Sequence, residues 1–257
     1  MQAPRPRNCL VSTFTRWDDD PVAPRQVPDR EVRSNRRHHV VVIGAGFGGL
    51  AVARSLGDAP VDVTLIEANN FHTFQPLLYQ VATAGLDSPN VAYAVRGIFR
   101  RQHNVEVRMA RVTDIDLDAN AITLDSGATV PYDTLVIAAG AVSTSFGVPG
   151  VDEHGLPLKS LDDAIAIRRR ILDQFERAAA DPSLVDDGAL NVVVCGGGPT
   201  GVEMAGGIME LFNKVLQHDF PDLPVRWARV VLVEAADRLL PRSEEHTSEL
   251  QSPECIS

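Results

Sequence analysis

The sequence predicts an α/β fold of two similar strand-turn-helix-strand units, joined through an antiparallel β-meander used as a crossover, with the second unit incomplete. Two observations predict it. Residues 40–43 (VVVI), a β-branched run of the kind buried in a parallel sheet, end directly in a glycine-rich turn, Gly44, Ala45, Gly46, Phe47, Gly48 and Gly49, and then in a helical stretch, 50–56. Residues 191–195 (NVVVC) do the same, running into Gly196, Gly197, Gly198, Pro199, Thr200 and Gly201 and a helix from 202 to about 216. Each unit then supplies a second strand that stops at an acid, Glu67 in one and Glu234 in the other. Strand, glycine turn, helix, strand and acid in that order describe a Rossmann-like dinucleotide-binding unit.

The elements follow in chain order. Residues 1–37 mix charges and prolines, lack an apolar stretch, and read as a disordered leader or a start codon placed too far upstream. In the first unit, 38–150, Gly44 permits the tight turn, Gly46 lets backbone approach a pyrophosphate, and Gly49 lets the helix pack closely on its strand. The helix start points unsatisfied N–H groups and its positive end at the phosphates. Gly57 and Pro60 close the helix, residues 61–66 form the next strand, and Glu67, twenty-three residues past Gly44, is placed to accept hydrogen bonds from a ribose diol. Short strands at 105–112, 121–124 and 129–131, with a turn at 125–127, make the meander. Residues 135–140 return as a buried strand ending at the small residues Ala138, Ala139 and Gly140, where backbone can again lie close to a ligand.

A connecting loop and helix fill 151–189: Ser160 to Asp163 start a helix whose Leu161, Ile165, Leu172 and Phe175 recur near helical spacing, with Arg168 to Arg170 on the solvated side. The second unit, 190–241, places Glu234 thirty-eight residues after Gly196, and residues 218–227 read as a loop inserted into that gap. The last sixteen residues, 242–257, have no periodicity, and 242–252 back-translate in frame into what looks like a DNA-sequencing adapter; they are expected to be an artefactual tail, with the gene cut near Pro241.

Composition bounds the function. The chain has 257 residues, 44% of them hydrophobic and 23% charged, and a formal charge of −10, which argues against nucleic acid as a partner. Cys9, Cys195 and Cys255 form no CxxC pair and no metal-ligand spacing, so neither a disulfide scaffold nor a metal site is expected, and Cys195 reads as a small buried hydrophobe. No run spans a bilayer, and the chain reads as soluble and cytoplasmic. Two complete fingerprints imply two dinucleotides, which bound face to face would exchange a hydride. The acid at Glu234 favours NADH over NADPH, because it would repel a 2′-phosphate. Disulfide reduction would need a cysteine pair beside a flavin, and residues 71–86 hold none.

Residues 67–86 (EANNFHTFQPLLYQVATAGL) resemble the type II NADH dehydrogenases, single-subunit NADH:quinone oxidoreductases of the two-dinucleotide flavoprotein superfamily. The likeness runs through 92–101, 132–140, 160–178, 196–207 and 230–241. It implies an FAD/NAD(P)-binding fold, with FAD held by Gly44 to Gly49 and Glu67, its isoalloxazine lined by Phe74, Gln75, Pro76 and Leu77, its adenine beside Val112, and its ring backed by Ala138, Ala139 and Gly140. NADH would lie on Gly196 and Gly198 to Gly201, with Glu234 at its ribose and Glu203 helping to position the nicotinamide. Ala139 departs from the family's frequent Thr, which removes one hydrogen bond near the flavin. The resemblance implies hydride transfer from NADH to the flavin N5 and then two electrons to a membrane quinone, with no side chain acting as acid, base or nucleophile. It also implies peripheral contact with the cytoplasmic face of a membrane, through residues past Pro241, and it allows a homodimer. The 257-residue chain is therefore expected to bind cofactor poorly and to leave quinone unreduced. Two other readings stay open: a soluble ferredoxin- or rubredoxin-type reductase, and a non-catalytic NADH-sensing module.

Overall fold

A computed structural model describes residues 36–240; the expected leader up to residue 35 and the expected tail from 242 lie outside the described residues, as do Cys9 and Cys255. Strand β1 (His38–Ile43) leads through the glycine turn into helix α1 (Phe47–Ser55), and β2 (Val61–Glu67) returns beside β1 in parallel. The turn from α1 to β2 is closed from outside. Asn104 Nδ2 donates to the carbonyls of Leu56 at 2.8 Å and Val61 at 3.1 Å, and Gln102 Nε2 donates to Ala53 O at 2.6 Å. The last carbonyls of a helix have no partner within it, and leaving such a group buried and unpaired costs about 1–3 kcal/mol.

After β2 the chain makes an antiparallel ribbon, β3 (Phe71–Thr73) with β4 (Ala92–Ala94), enclosing a 3-10 turn at Gln75–Leu77 and helix α2 (Leu78–Ala82). Helix α3 (Val95–Phe99) leads to β5 (Val105–Met109), then come β6 (Val112–Asp116), β7 (Ala121–Leu124), β8 (Thr129–Pro131) and β9 (Thr134–Ile137). The run 105–112 is not one meander strand: β5 joins the parallel sheet against β2, and only β6, β7 and β8 form the antiparallel meander. Whether a β-branched run pairs in parallel or antiparallel depends on its partner, which local sequence does not carry.

The main sheet is parallel with order β5-β2-β1-β9. Val40, Val42, Val63 and Leu65 on one face pack with Leu50, Ala53, Val95 and Phe99 from α1 and α3, while Val41 and Ile66 on the other pack with Ile122, Leu124, Val130 and Tyr132 of the meander. Alternation along each strand therefore feeds two cores, which is why 40–43 reads as continuously apolar. Strand β9, expected to be buried, is an edge strand with Ile137 64% exposed.

A short helix, α4 (Val151–His154), precedes α5 (Leu161–Ala180), which opens with a capping box: Ser160 Oγ accepts from Asp163 N–H, and Asp163 Oδ2 accepts from Ser160 N–H. Its buried face carries Ala164, Ile171, Phe175 and Ala178, so the stripe is turned away from Ile165, which is exposed. Ala164 and Ala178 are fully buried in the core that α5 shares with α2 and α6, where side chains this small leave room for a neighbouring helix. Strand β10 (Val192–Cys195) leads into α6 (Pro199–Leu211), which continues through a π-helical turn (Phe212–Leu216) and α7 (Gln217–Asp219) to β11 (Val230–Val233), paired in parallel with β10. The segment expected as an inserted loop is packed: Leu223 and Val225 are buried with Phe212, and Phe220 lies against Phe175, ring centroids 5.6 Å apart. Helices α2, α5 and α6 share this core, so the segment between β3 and β4 is fastened to the second unit. A Cβ added to Gly207 on α6 would lie 2.9 Å from Thr83 Oγ1, just past α2.

Candidate functional site

In a parallel sheet, ligands bind at the carboxyl ends of the strands, where neighbouring connections leave in opposite directions. Strand β1 has β2 on one side and β9 on the other, and the turns after β1 and β9 meet there. Gly44 has φ +98, and a Cβ on it would lie 2.3 Å from Ala138 O; one on Gly49 would lie 1.8 Å from Gly44 O. Neither atom that blocks them can swing away, since both are backbone. The second unit repeats the device: Gly196 has φ +112, and a Cβ on Gly201 would lie 1.8 Å from Gly196 O.

The acids are tied to these turns. Glu67 Oε2 accepts from Ala45 N–H at 2.6 Å and Oε1 from Asn69 N–H at 3.1 Å. In the second unit Glu234 Oε2 accepts from Gly197 N–H and Oε1 from Ala236 N–H at 2.9 Å. The N–H groups of Ala236, Gly197 and Ala235 hold the Glu234 carboxyl below its ordinary value of 4.5. A carboxylate offers roughly four lone-pair sites, so after its backbone bonds each acid retains acceptor capacity for a ribose hydroxyl.

Both turns fit a pyrophosphate. Helix α1 is capped by Gly46 and α6 by Gly198, with no side-chain cap on either and no acid in either first turn, so the N–H groups and positive ends stay uncompensated. A Cβ built on Gly46, Gly140 or Gly198 meets nothing within 4 Å, so backbone faces open space there.

Phe74 sets its ring edge-on to Phe47, centroids 5.5 Å apart, and Gln75 and Pro76 are exposed beside it while Leu77 is half-buried. Phe47 and Phe74 also line a cavity of about 400 Å³ with Leu50, Arg54, His72 and Tyr93. Strand β5 leaves the sheet opposite Glu67, and Ala110 N–H donates to Glu67 O at 3.0 Å, which brings Val112 to the acid's end of the sheet. Glu203 is exposed on α6, one turn past the glycines. Cys195 is exposed, contrary to expectation, because α6 covers only one face of the β10-β11 pair. Among the described residues no group of three or more His, Cys, Asp or Glu could hold a metal, and no helix is long and apolar enough to cross a membrane.

Three residues lay beyond the sequence reading. Gly197 occupies the place of Ala45, and a Cβ there would lie 2.6 Å from Leu239 Cδ2; aligning the two fingerprints position by position would have found it. His72, buried, places Nδ1 2.8 Å from Ala45 O. Asn104 carried no signal at all in the sequence, since its partners are forty or more residues away.

Residues 38–252 match the pyridine nucleotide-disulphide oxidoreductase family. The chain is 44% identical over 209 residues to the type II NADH:quinone oxidoreductase NdhA of Mycobacterium tuberculosis, covering 80% of this chain and 44% of that protein. It is 43% identical over 225 residues to the type II NADH:quinone oxidoreductase Ndh of the same organism, covering 86% and 48%. Among solved structures, that of NDH2 from Plasmodium falciparum in complex with NADH superposes with a TM-score of 0.74 at 27% identity, covering 84% of this chain and 47% of that one. The chain thus spans about half the length of the curated relatives it matches.

Proposed function

Because the chain belongs to the pyridine nucleotide-disulphide oxidoreductase family, we propose that it seats FAD in its first unit and NADH in its second, as the dinucleotide-binding half of an NADH:quinone oxidoreductase. The observation that carries this is the duplicated cradle, in which a bare helix start, a glycine turn pressed against its strand and a clasped acid recur at matching positions. FAD, when bound, supplies a ring that takes a hydride from NADH and returns two electrons to a quinone.

The chain's own residues bind and orient. N–H groups at the starts of α1 and α6 neutralise pyrophosphate charge, and Glu67 and Glu234 accept from ribose hydroxyls. Ala138 to Gly140 back the first site at the switch point, Phe74 to Leu77 stand beside it, and Val112 borders its adenosine end. Glu203, exposed on α6, would help to position the nicotinamide. Helix α2 packed on α6 sets the spacing between the two sites, the requirement that dominates hydride transfer, which needs about 3–3.5 Å between reacting atoms. No residue is assigned as acid, base or nucleophile. Cys195 is the one cysteine among the described residues, so these residues offer no dithiol for the disulphide chemistry of the family name. The acid at Glu234 disfavours a 2′-phosphate, and we assign NADH over NADPH on that ground.

The test is anaerobic titration of the protein extended to its relatives' length. NADH is expected to bleach the flavin absorbance, and a soluble quinone to restore it. Binding without bleaching would leave an NADH-sensing module, and recovery with ferredoxin or rubredoxin but not quinone would leave a soluble reductase.

A further inference from the structure

The residue after the first glycine of each turn is held at both of its polar ends. In the second unit Gly197 gives its N–H to Glu234 and takes the N–H of Leu240 on its carbonyl at 2.9 Å. In the first unit Ala45, 1% exposed, gives its N–H to Glu67 at 2.6 Å, and its carbonyl lies 2.8 Å from Nδ1 of His72. A carbonyl only accepts, so Nδ1 carries the hydrogen. The same peptide is therefore pinned twice in one chain, once by a backbone donor and once by an imidazole.

What this pin controls follows from peptide geometry. The carbonyl of Ala45 and the N–H of Gly46 belong to one planar trans unit and point in opposite directions. An imidazole that fixes the carbonyl on one side fixes the Gly46 N–H on the other, and Gly46 is the residue that caps α1 beside open space. His72 is itself hard to displace. It is 7% exposed, sits in β3 opposite Tyr93, and has Phe47 edge-on at 5.3 Å between centroids.

We propose that His72 is a positioning residue for the FAD pyrophosphate: its Nδ1–H sets the Ala45–Gly46 peptide plane, and so aims the Gly46 N–H at the phosphates. The inference rests on the reading that the first unit takes FAD. Because β3 also leads directly to Phe74–Leu77, one side chain would tie the phosphate end of the site to the segment placed beside the flavin ring.

The experiment uses the protein extended to its relatives' length, with H72L, H72N and H72Q. Asparagine can place an amide N–H near the position of Nδ1, leucine has a similar shape without a donor, and glutamine carries its donor one bond further out. FAD affinity of the stripped protein is measured by flavin fluorescence quenching, and the ³¹P resonances of bound FAD report the phosphate environment. H72L and H72Q are expected to weaken FAD by about 10- to 100-fold, the range for an orphaned buried carbonyl, and to move the ³¹P shifts, with H72N close to wild type in both and NADH binding unchanged throughout. Wild-type affinity in H72L and H72Q overturns the proposal. So does equal loss in H72N and H72Q, which would mean that the ring's packing on Phe47, rather than its hydrogen bond, is what matters. If H72L fails to fold, the contrast of H72N with H72Q decides alone. Absence of FAD binding in the unsubstituted protein would instead refute the functional reading.

Discussion

Gly46 and Gly49 lie one helical turn apart and are required for different reasons. A Cβ on Gly49 meets Gly44 O at 1.8 Å, a backbone atom of the same turn, so alanine there must push α1 off β1. Gly46 has φ −71, which any residue adopts, and a Cβ on it meets nothing within 4 Å; the space is free in the protein, and it is where the proposed FAD pyrophosphate would lie. The two alanine variants should therefore separate. G46A is expected to unfold in urea within about 0.5 kcal/mol of wild type while losing most of its FAD affinity. G49A is expected to lose both, with destabilisation of about 1–3 kcal/mol from overpacking. Equal stability of the two variants would contradict the steric argument. Glycines of this kind are legible in sequence because the constraint is local: spacing along the chain is enough to say which one turns and which one packs. His72 is not legible in that way. A histidine in a short strand carries no mark of the carbonyl it faces, and that carbonyl belongs to a residue 27 positions earlier.

At the scale of elements, the sheet of the second unit is a short ladder, from Val192 opposite Val230 to Cys195 opposite Val233, extended by the Glu234 clasp on Gly197 and Ala236. The clasp is strongest as a carboxylate, whose two oxygens both accept, and the backbone donors hold its folded pKa below 4.5. With the folded value depressed, the stabilisation is fully present above the unfolded value near 4.5 and is lost as pH falls through the folded one. Thermal melting should show wild type above E234Q at pH 6, with the gap narrowing once the pH drops below about 4.5. A gap that stays constant into acid would show that ionisation of Glu234 adds nothing to stability. The same scale is where the sequence was least informative. Residues 105–112 carry one β-branched pattern but belong to two sheets, and the buried stripe of α5 is chosen by Ala164 and Ala178 rather than by Ile165, because close helix approach rewards small side chains. Both outcomes are set by partners distant in the chain. The Ser160–Asp163 capping box, by contrast, was legible because all of its atoms lie within one turn.

For the whole molecule, the question is what the exposed sheet faces are for. Residues 192–195 and 230–233 are apolar on both sides of the strand, the composition of strands covered on two faces, yet α6 covers one. Val193 is 59% exposed, Val233 51%, and Ile137 on the edge strand of the first sheet 64%. Scattered apolar residues on a surface carry no message, but rows of them along adjacent strands do. The curated relatives, of which this chain spans 44% and 48%, have the further length from which a covering layer could come. We therefore expect the 257-residue chain alone to bind an apolar dye such as ANS strongly, to retain little flavin and to leave quinone unreduced, and the protein extended to its relatives' length to reverse all three. Val231→Thr and Val233→Thr together should reduce dye binding to the 257-residue chain without altering the first unit, which ties the signal to this face. A 257-residue chain that purifies yellow, excludes the dye and turns over quinone would mean that two strands and one helix suffice to hold the second dinucleotide, and that the apolar face has another use.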